Sequence, residues 1–538
     1  MKFKIFLGVL LLGLLASSCF EDESAKDVKL FNPLIINDFL SSTEIYVTQG
    51  DRLKVKVLAY KEGTDDAKLE YEWRLEGHGQ HLDLGHSMIL DTVINVPMNR
   101  ESYSLLFKVT DTEYGLTLTK KYNLYVTGQY VAGLLVADTK DEMTSDIHLV
   151  SSKNFTQDYN REEDKHVFWN VYSVNNGQNV NGLIQDMKDV VGRGFLELSI
   201  ATDHLIEDLD PLDNFTVMRR NNDMFIKPFE GEMNIGKLGT SSSGPYDIAV
   251  VNGSLYKRTQ YEEVITYGVG LVLSDLSDDY YITEYKYRST RPRGYEIYGV
   301  AFDRKNQRFL AFPSIYGADK NNLRIFKRKS AEKIGCDPNR PGNVDCKYIG
   351  YGPNNTLYAV IQNLDSEVYE VWEFNLNSDD EKADDVVTER YILDQCPEID
   401  KAISFSSQAM ESILYYATED KVYTAMMTSR HPKAYPKFSA SYTHDGITVS
   451  DEKITEIRVV DECPGKVEIP GEGGETETLA SGRNMITVVT YNDKTKEGKV
   501  TVVPIRSLST GEMVEDPKFY RVYGGFGRIL KTTCFHTR

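Results

Sequence analysis

Two hydrophobic patterns divide the chain. From about Leu30 to Gly128, apolar and polar residues alternate with period two between turn residues, as strands with one buried and one wet face do. In DRLKVKVLAY, Leu53, Val55 and Val57 alternate with Lys54 and Lys56. YEWRL sets Trp73 between polar neighbours, and YSLLFKVTDTEYG lines up Tyr103, Leu105, Phe107 and Val109 before a turn at Asp111. After KYNLYVTGQY the texture changes to short aromatic-rich strands, each behind a Gly/Asn/Asp turn, as in VNGSLYKR, KNQRFLAFP and PNNTLYAVIQ. Aligning Tyr256, Phe309, Tyr358 and Tyr415 gives a repeat of roughly 50 to 57 residues, close to a four-stranded propeller blade. The ~400 residues of this region then suggest about seven blades, with a large β-sandwich or jelly roll as the alternative. The expected fold is all-β: an immunoglobulin-like sandwich over 30–128, then a β-propeller over 129–538.

The first residues follow neither pattern. Lys2 and Lys4 precede an apolar run, Ile5 to Leu15, of signal-peptide length and too short for the ~20 residues a spanning helix needs. Small residues follow, then Cys19. The stretch resembles bacterial lipoprotein signals, although their commonest pattern has leucine where this chain has Ala16. That resemblance implies a signal peptide over 1–18 and acyl chains (palmitate-type lipid) on Cys19, an anchor that needs no spanning helix. Ordinary secretion with an incidental cysteine is the alternative. An acidic tether over 19–29 carries Glu21, Asp22 and Glu23, which resemble the export signal of Bacteroidetes surface lipoproteins. The implied location is the bacterial outer membrane, facing the cell exterior.

At 538 residues the chain exceeds one ordinary core, which agrees with two domains. Its net charge of −20 repels phosphate backbones, so nucleic acid is not an expected partner. Beyond Cys19 an odd five cysteines remain. Cys336 and Cys346 bracket CDPNRPGNVDC, a loop short enough for a disulfide in an oxidising compartment, with free buried thiols as the equal alternative.

Tyr71, Trp73, Tyr103, Val109, Asp111 and Gly115 resemble the pattern of the PKD (polycystic kidney disease) domain. The departure is Glu76-Gly77-His78-Gly79, where that family has Gly-Asp-Gly. Further on, Gly133 to Val150 (GLLVADTKDEMTSDIHLV) and Gly525 to Ile529 in GGFGRIL resemble elements of the PKD-like lipoproteins of Bacteroidetes. That resemblance implies a place near SusC/SusD-type nutrient import systems and no established activity.

No Gly-x-Ser-x-Gly elbow, His-Glu-x-x-His or phosphate loop occurs, and no catalytic residue is assigned. His78, His81 and His86 lie close in sequence, but nothing in their spacing makes the rings converge on a metal. Asp208, Asp210 and Asp213, and Asp275, Asp278 and Asp279, read as solvated acidic turns, with Ca²⁺ binding or paired-carboxylate glycoside hydrolysis as alternatives. No cofactor other than that Ca²⁺ is considered. For ligand binding the candidates are Trp169 and the strip holding Tyr285, Tyr287, Arg288, Arg291 and Arg293, because tyrosine and arginine offer flat faces with polar tips. Alternating tyrosines on a packed strand would give the same text without a ligand. The expected function is a non-enzymatic binding or accessory component of a glycan or peptide uptake system. A propeller-type polysaccharide hydrolase or lyase and a structural protein-binding subunit are the alternatives.

Overall fold

In a computed structural model the chain divides into two compact units, Met1–Thr127 and Gly128–Arg538. The structure describes residues 32–536 except 41, 65–67, 97, 100, 129, 131, 157–158, 160–162, 193–194, 241–245, 260–265, 269, 274–278, 288–296, 314–321, 327–333, 377–385, 445–446 and 461–462. Cys19, Glu21, Asp22, Glu23, Arg288, Arg291, Arg293, Asp275 and Asp278 lie outside the described residues.

The first unit is a two-sheet sandwich built from β1 (Leu34–Asp38), β2 (Glu44–Thr48), β3 (Arg52–Lys61), β4 (Leu69–Gly77), β5 (Gln80–Gly85), β6 (Ile89–Val93), β7 (Tyr103–Asp111) and β8 (Leu116–Thr127). One sheet runs β1-β3-β6 and the other β2-β8-β7-β4-β5. The period-two residues of β3 and β7 face each other between them: Leu53, Val55, Val57, Tyr103, Leu105, Phe107 and Val109 are all buried. Trp73 pairs across the sheet with Phe107, their rings 4.7 Å apart, and its indole N–H donates to the Ser87 carbonyl at 2.9 Å. At its end Asp111 takes the buried Lys61 ammonium at 2.7 Å and caps the Glu113 amide at 3.0 Å, so the turn and the ion pair share one carboxylate. The departure from the PKD pattern is the β4–β5 hairpin, whose Gly77, His78 and Gly79 all have positive φ. His78 lies edge-on to Tyr103, and His86 pairs with Asp83 at 2.9 Å; the histidines are taken up locally.

Among the described residues the second unit holds seven antiparallel sheets of three to five strands in succession, the blades of a propeller, with three two-stranded pairs besides. Blade 2 holds Asp186–Gly192, Phe195–Ala201, Ile206–Asp210 and Thr216–Arg220. Blades 3 to 6 begin at Ile235, Ile282, Val344 and Ser404, and blade 7 at Glu452. Blade 1 joins the two ends of the unit: Ala132–Thr139, Thr144–Ser152 and Lys165–Phe168 are completed by the last strand, Arg528–His536, which pairs antiparallel with Ala132–Thr139. Seven apolar cores lie between successive blades, and the one between blades 7 and 1 closes the circle with Leu134, Val136, Val500, Val502, Phe526 and Ile529. Each sheet feeds two cores. Tyr415 faces blade 7 while Tyr416 faces blade 5, and Leu135 faces blade 2 while Val136 faces blade 7. Burial on both faces is why the strands read as continuous apolar runs rather than as alternation.

The repeat inferred from aromatics was out of phase, although the blade number is seven. Tyr256 and Phe309 lie on the third strands of their blades, Tyr358 and Tyr415 on the second. Cys336 and Cys346 are free buried thiols rather than a disulfide: both sit in the core between blades 4 and 5, with Cys336 aimed at the Ile334 carbonyl and Cys346 at that of Tyr348.

Candidate functional site

The innermost strand of each blade faces the axis, and together these strands enclose a cavity of about 490 Å³. Residues from all seven innermost strands line it. A short sequence device recurs on four of them: Asp186-x-Lys188, Glu284-x-Lys286, Asp345-x-Lys347 and Glu456-x-Arg458. Residues i and i+2 of a strand share a face, so acid and base turn to the axis while the middle residue enters a core. Met187, Tyr285, Cys346 and Ile457 are indeed core residues between blades. Blades 3 and 1 add Lys237 and Lys531, and blade 6 adds Ser404 and Ser406 in place of charges.

The charges link neighbouring blades. Lys237 pairs with Glu284 of blade 4, and Lys531 of blade 1 with Glu456 of blade 7 at 2.8 Å. Arg458 donates to the Thr532 carbonyl at 2.7 Å, and Lys347 turns back to Asp345 at 2.7 Å. Asp186 accepts from the Leu238 amide at 2.9 Å. Burial pushes the Glu284 carboxyl up against the opposing pull of Lys237, while the Glu456 charge holds the Lys531 ammonium above its usual value. Lys286 lies 4.2 Å from the Tyr351 ring centre. The Lys188 side chain has no hydrogen bond or ion pair among the described residues. Tyr348 and Tyr351 of blade 5 and Phe405 of blade 6 add aromatic faces.

The aromatic candidates fall elsewhere. Tyr285 and Tyr287 are buried between blades 3 and 4; the Tyr285 hydroxyl donates to the Ile248 carbonyl at 3.3 Å, and Tyr287 meets Phe312 edge-on. They alternate with the axial Glu284 and Lys286, so the strand that carries them puts its charges, not its tyrosines, toward the cavity. Trp169 is 42% exposed but away from the axis, packed on His148 and Phe526. The sequence reading singles out none of the cavity residues except Cys346 and Tyr285 as neighbours of them. The signal that would find them is the acid-x-base tripeptide on the innermost strands of four blades.

Two other polar groupings are structural. Asp138, in the Gly133–Val150 stretch, accepts from the Gly527 amide at 2.5 Å and stands 2.9 Å from His148 Nε2 without the geometry of a hydrogen bond. The Asn170 amide donates to His148 Nδ1, which places the ring proton on Nε2. One carboxylate thus joins the two motif stretches at the closing strand. Gly527 is required there, because a Cβ would lie 2.3 Å from the Thr139 carbonyl oxygen. Between blades 2 and 3, Arg258 is fully buried and donates to Asp247 at 2.6 Å and to Asp208, which also takes Arg219 at 2.9 Å and the Ser199 hydroxyl at 2.6 Å. Asp208 is therefore a core ion-pair member, not a solvated turn. Asp210 caps the Leu212 amide and Asp213 accepts from Thr216, ordinary turn chemistry. Burial, with the Asp208 charge, pushes Glu197 of this network up to about 7. Among the described residues no group of three His, Cys, Asp or Glu side chains is placed to hold a metal ion.

Fold and site together define a sandwich followed by a seven-bladed propeller with a charged axial cavity. The model of the PKD-like family matches residues 19–183, which takes in the sandwich and runs on through the first three strands of blade 1. No curated protein matches the chain. Among solved structures it is similar to Kluyveromyces lactis Hsv2, at 10% identity and TM-score 0.31, covering 65% of this chain and 98% of that one. It is also similar to the WD40 domain of SCAP from fission yeast, at 9% identity and TM-score 0.23, covering 74% and 75%. A eukaryotic initiation factor gives 10% identity and TM-score 0.29, covering 68% and 96%. The blade assignment rests on strand pairing and the circle of cores, not on these likenesses.

Proposed function

We propose that this protein is a lipid-anchored component of the bacterial cell surface, in the manner of Bacteroidetes outer-membrane lipoproteins, that binds a ligand for uptake and does not transform it. The anchor is Cys19 and the acidic run Glu21, Asp22 and Glu23 marks it for the exterior. The sandwich is the spacer and the propeller the recognition platform. The ligand is an oligosaccharide or peptide handed to a SusC/SusD-type importer. The observation that carries this reading is the axial cavity: about 490 Å³, within the ~300–1,000 Å³ of small-ligand sites, and lined from all seven blades by polar side chains with aromatic faces beside them. A structural subunit would have no need of such a space. The acids beside it, Asp186, Glu284, Asp345 and Glu456, are held by a backbone amide or by neighbouring lysines, which supports binding rather than acid–base chemistry.

The test is purification from membranes of the native organism combined with glycan and peptide arrays. The expected result is recovery with an importer of the SusC/SusD type and binding of a defined ligand set without turnover. Recovery alone with blank arrays refutes the reading; turnover of a bound polysaccharide replaces it with the hydrolase or lyase alternative.

A further inference from the structure

The axial cavity inverts the charge of the protein that contains it. The chain carries a net −20, yet the described cavity lining has six lysines and arginines against three acids, Asp186, Asp189 and Glu456, with Glu284 and Asp345 beside it and paired with Lys237 and Lys347. The two signs are also layered. In each acid-x-base tripeptide the charges are two residues apart, about 6.5–7 Å along the strand, so the four acids form one tier and the four bases the next. Lys237 and Lys531 are drawn into the acid tier, where they pair with Glu284 and Glu456. The base tier keeps Lys188, Lys286, Lys347 and Arg458, with Lys286 over the Tyr351 ring, Lys347 paired with Asp345 and Arg458 donating to the Thr532 carbonyl. Against this collar stand the rings of Tyr348, Tyr351 and Phe405 and the hydroxyls of Ser404 and Ser406 on blade 6.

Resting on the axial-binding reading above, we infer that the ligand is an acidic oligosaccharide, a chain of sugars bearing carboxylates, held by the Lys188–Lys286–Lys347–Arg458 collar. The collar meets the carboxylates with charge-assisted hydrogen bonds, strengthened where the cavity walls exclude water. The aromatic side offers flat faces to sugar rings and the serine side offers hydroxyl partners. An acidic peptide would use the collar but leave the flat faces and the hydroxyl wall without matching groups.

The test is calorimetric titration of the full-length protein with tetragalacturonate, a neutral galactose tetrasaccharide and tetraglutamate, at ionic strengths of about 0.02 and about 0.3 M. Tetragalacturonate is expected to bind best and to weaken with salt. Lys188→Ala and Lys286→Ala should each weaken it about tenfold, while Lys188→Arg keeps most of the affinity. Thermal melts check that the variants fold; if Lys286→Ala does not, Lys188→Ala, at a side chain with no described partner, decides alone. Equal binding of the neutral sugar, or indifference to both lysines, overturns the inference and leaves the binding reading standing. Preference for tetraglutamate overturns the glycan assignment. Binding of none of the three overturns the inference, and blank arrays as well would overturn the underlying reading.

Discussion

Replacing Asp138 by alanine removes the carboxylate that accepts from the buried Gly527 amide, and stands beside His148 Nε2, where the last strand completes blade 1. The Gly527 amide is buried and has no other acceptor described. Leaving this buried donor unsatisfied costs about 1–3 kcal/mol. The propeller unit has roughly 400 residues, and at about 2.1 cal/mol/K per residue its unfolding entropy is about 0.85 kcal/mol/K. If the blades melt together, Tm falls by about 1–4 °C. Asp138→Asn keeps a carbonyl oxygen that can accept from the Gly527 amide, so it should recover most of the loss. Differential scanning calorimetry of the three proteins reads this directly. A drop under 1 °C for Asp138→Ala, or an asparagine variant as damaged as the alanine one, would refute the reasoning that this carboxylate latches the ring.

Trp73→Ala should cost the sandwich about 3–5 kcal/mol, because the ring is fully buried against Phe107 and Tyr122; protease cleavage confined to residues before 128 would report it. Glu197 has a folded value of about 7 against 4.5 unfolded, so the native state holds the extra proton between them and stability falls as pH rises through that window. Glu197→Gln should flatten the fall in Tm between about pH 5 and pH 7, and an unchanged slope would show that another group carries it. Alkylation in denaturant without reductant should label Cys336 and Cys346, since both are free; unlabelled cysteines, two daltons lighter as a pair, would show a disulfide instead.

How much could be read from the residues depended on whether a strand has one wet face. In the sandwich it does, so the alternation in β3 and β7 gave the buried set residue by residue. In the propeller both faces are buried, and apolar runs such as TLYAVIQ carry no phase. Aromatics were then a poor ruler, because Phe309 on a third strand and Tyr358 on a second fill the same kind of interface. The site was hidden for a related reason. Tyr285 and Tyr287 are conspicuous, but their parity sends them to the core, and the charges between them are the ones that reach the axis. Asp138 and Gly527 were visible as motif residues; that they touch depends on ring closure, a pairing across 389 positions that no local pattern encodes.

The central claim, that the propeller works by holding a ligand on its axis, is tested most directly by filling the cavity. Lys188→Trp combined with Lys347→Trp places two large rings on facing walls while leaving the blade cores untouched. Arrays probed with this variant should lose the ligands that the parent protein binds, with the thermal melt preserved. Undiminished binding by a folded, plugged propeller would contradict the account.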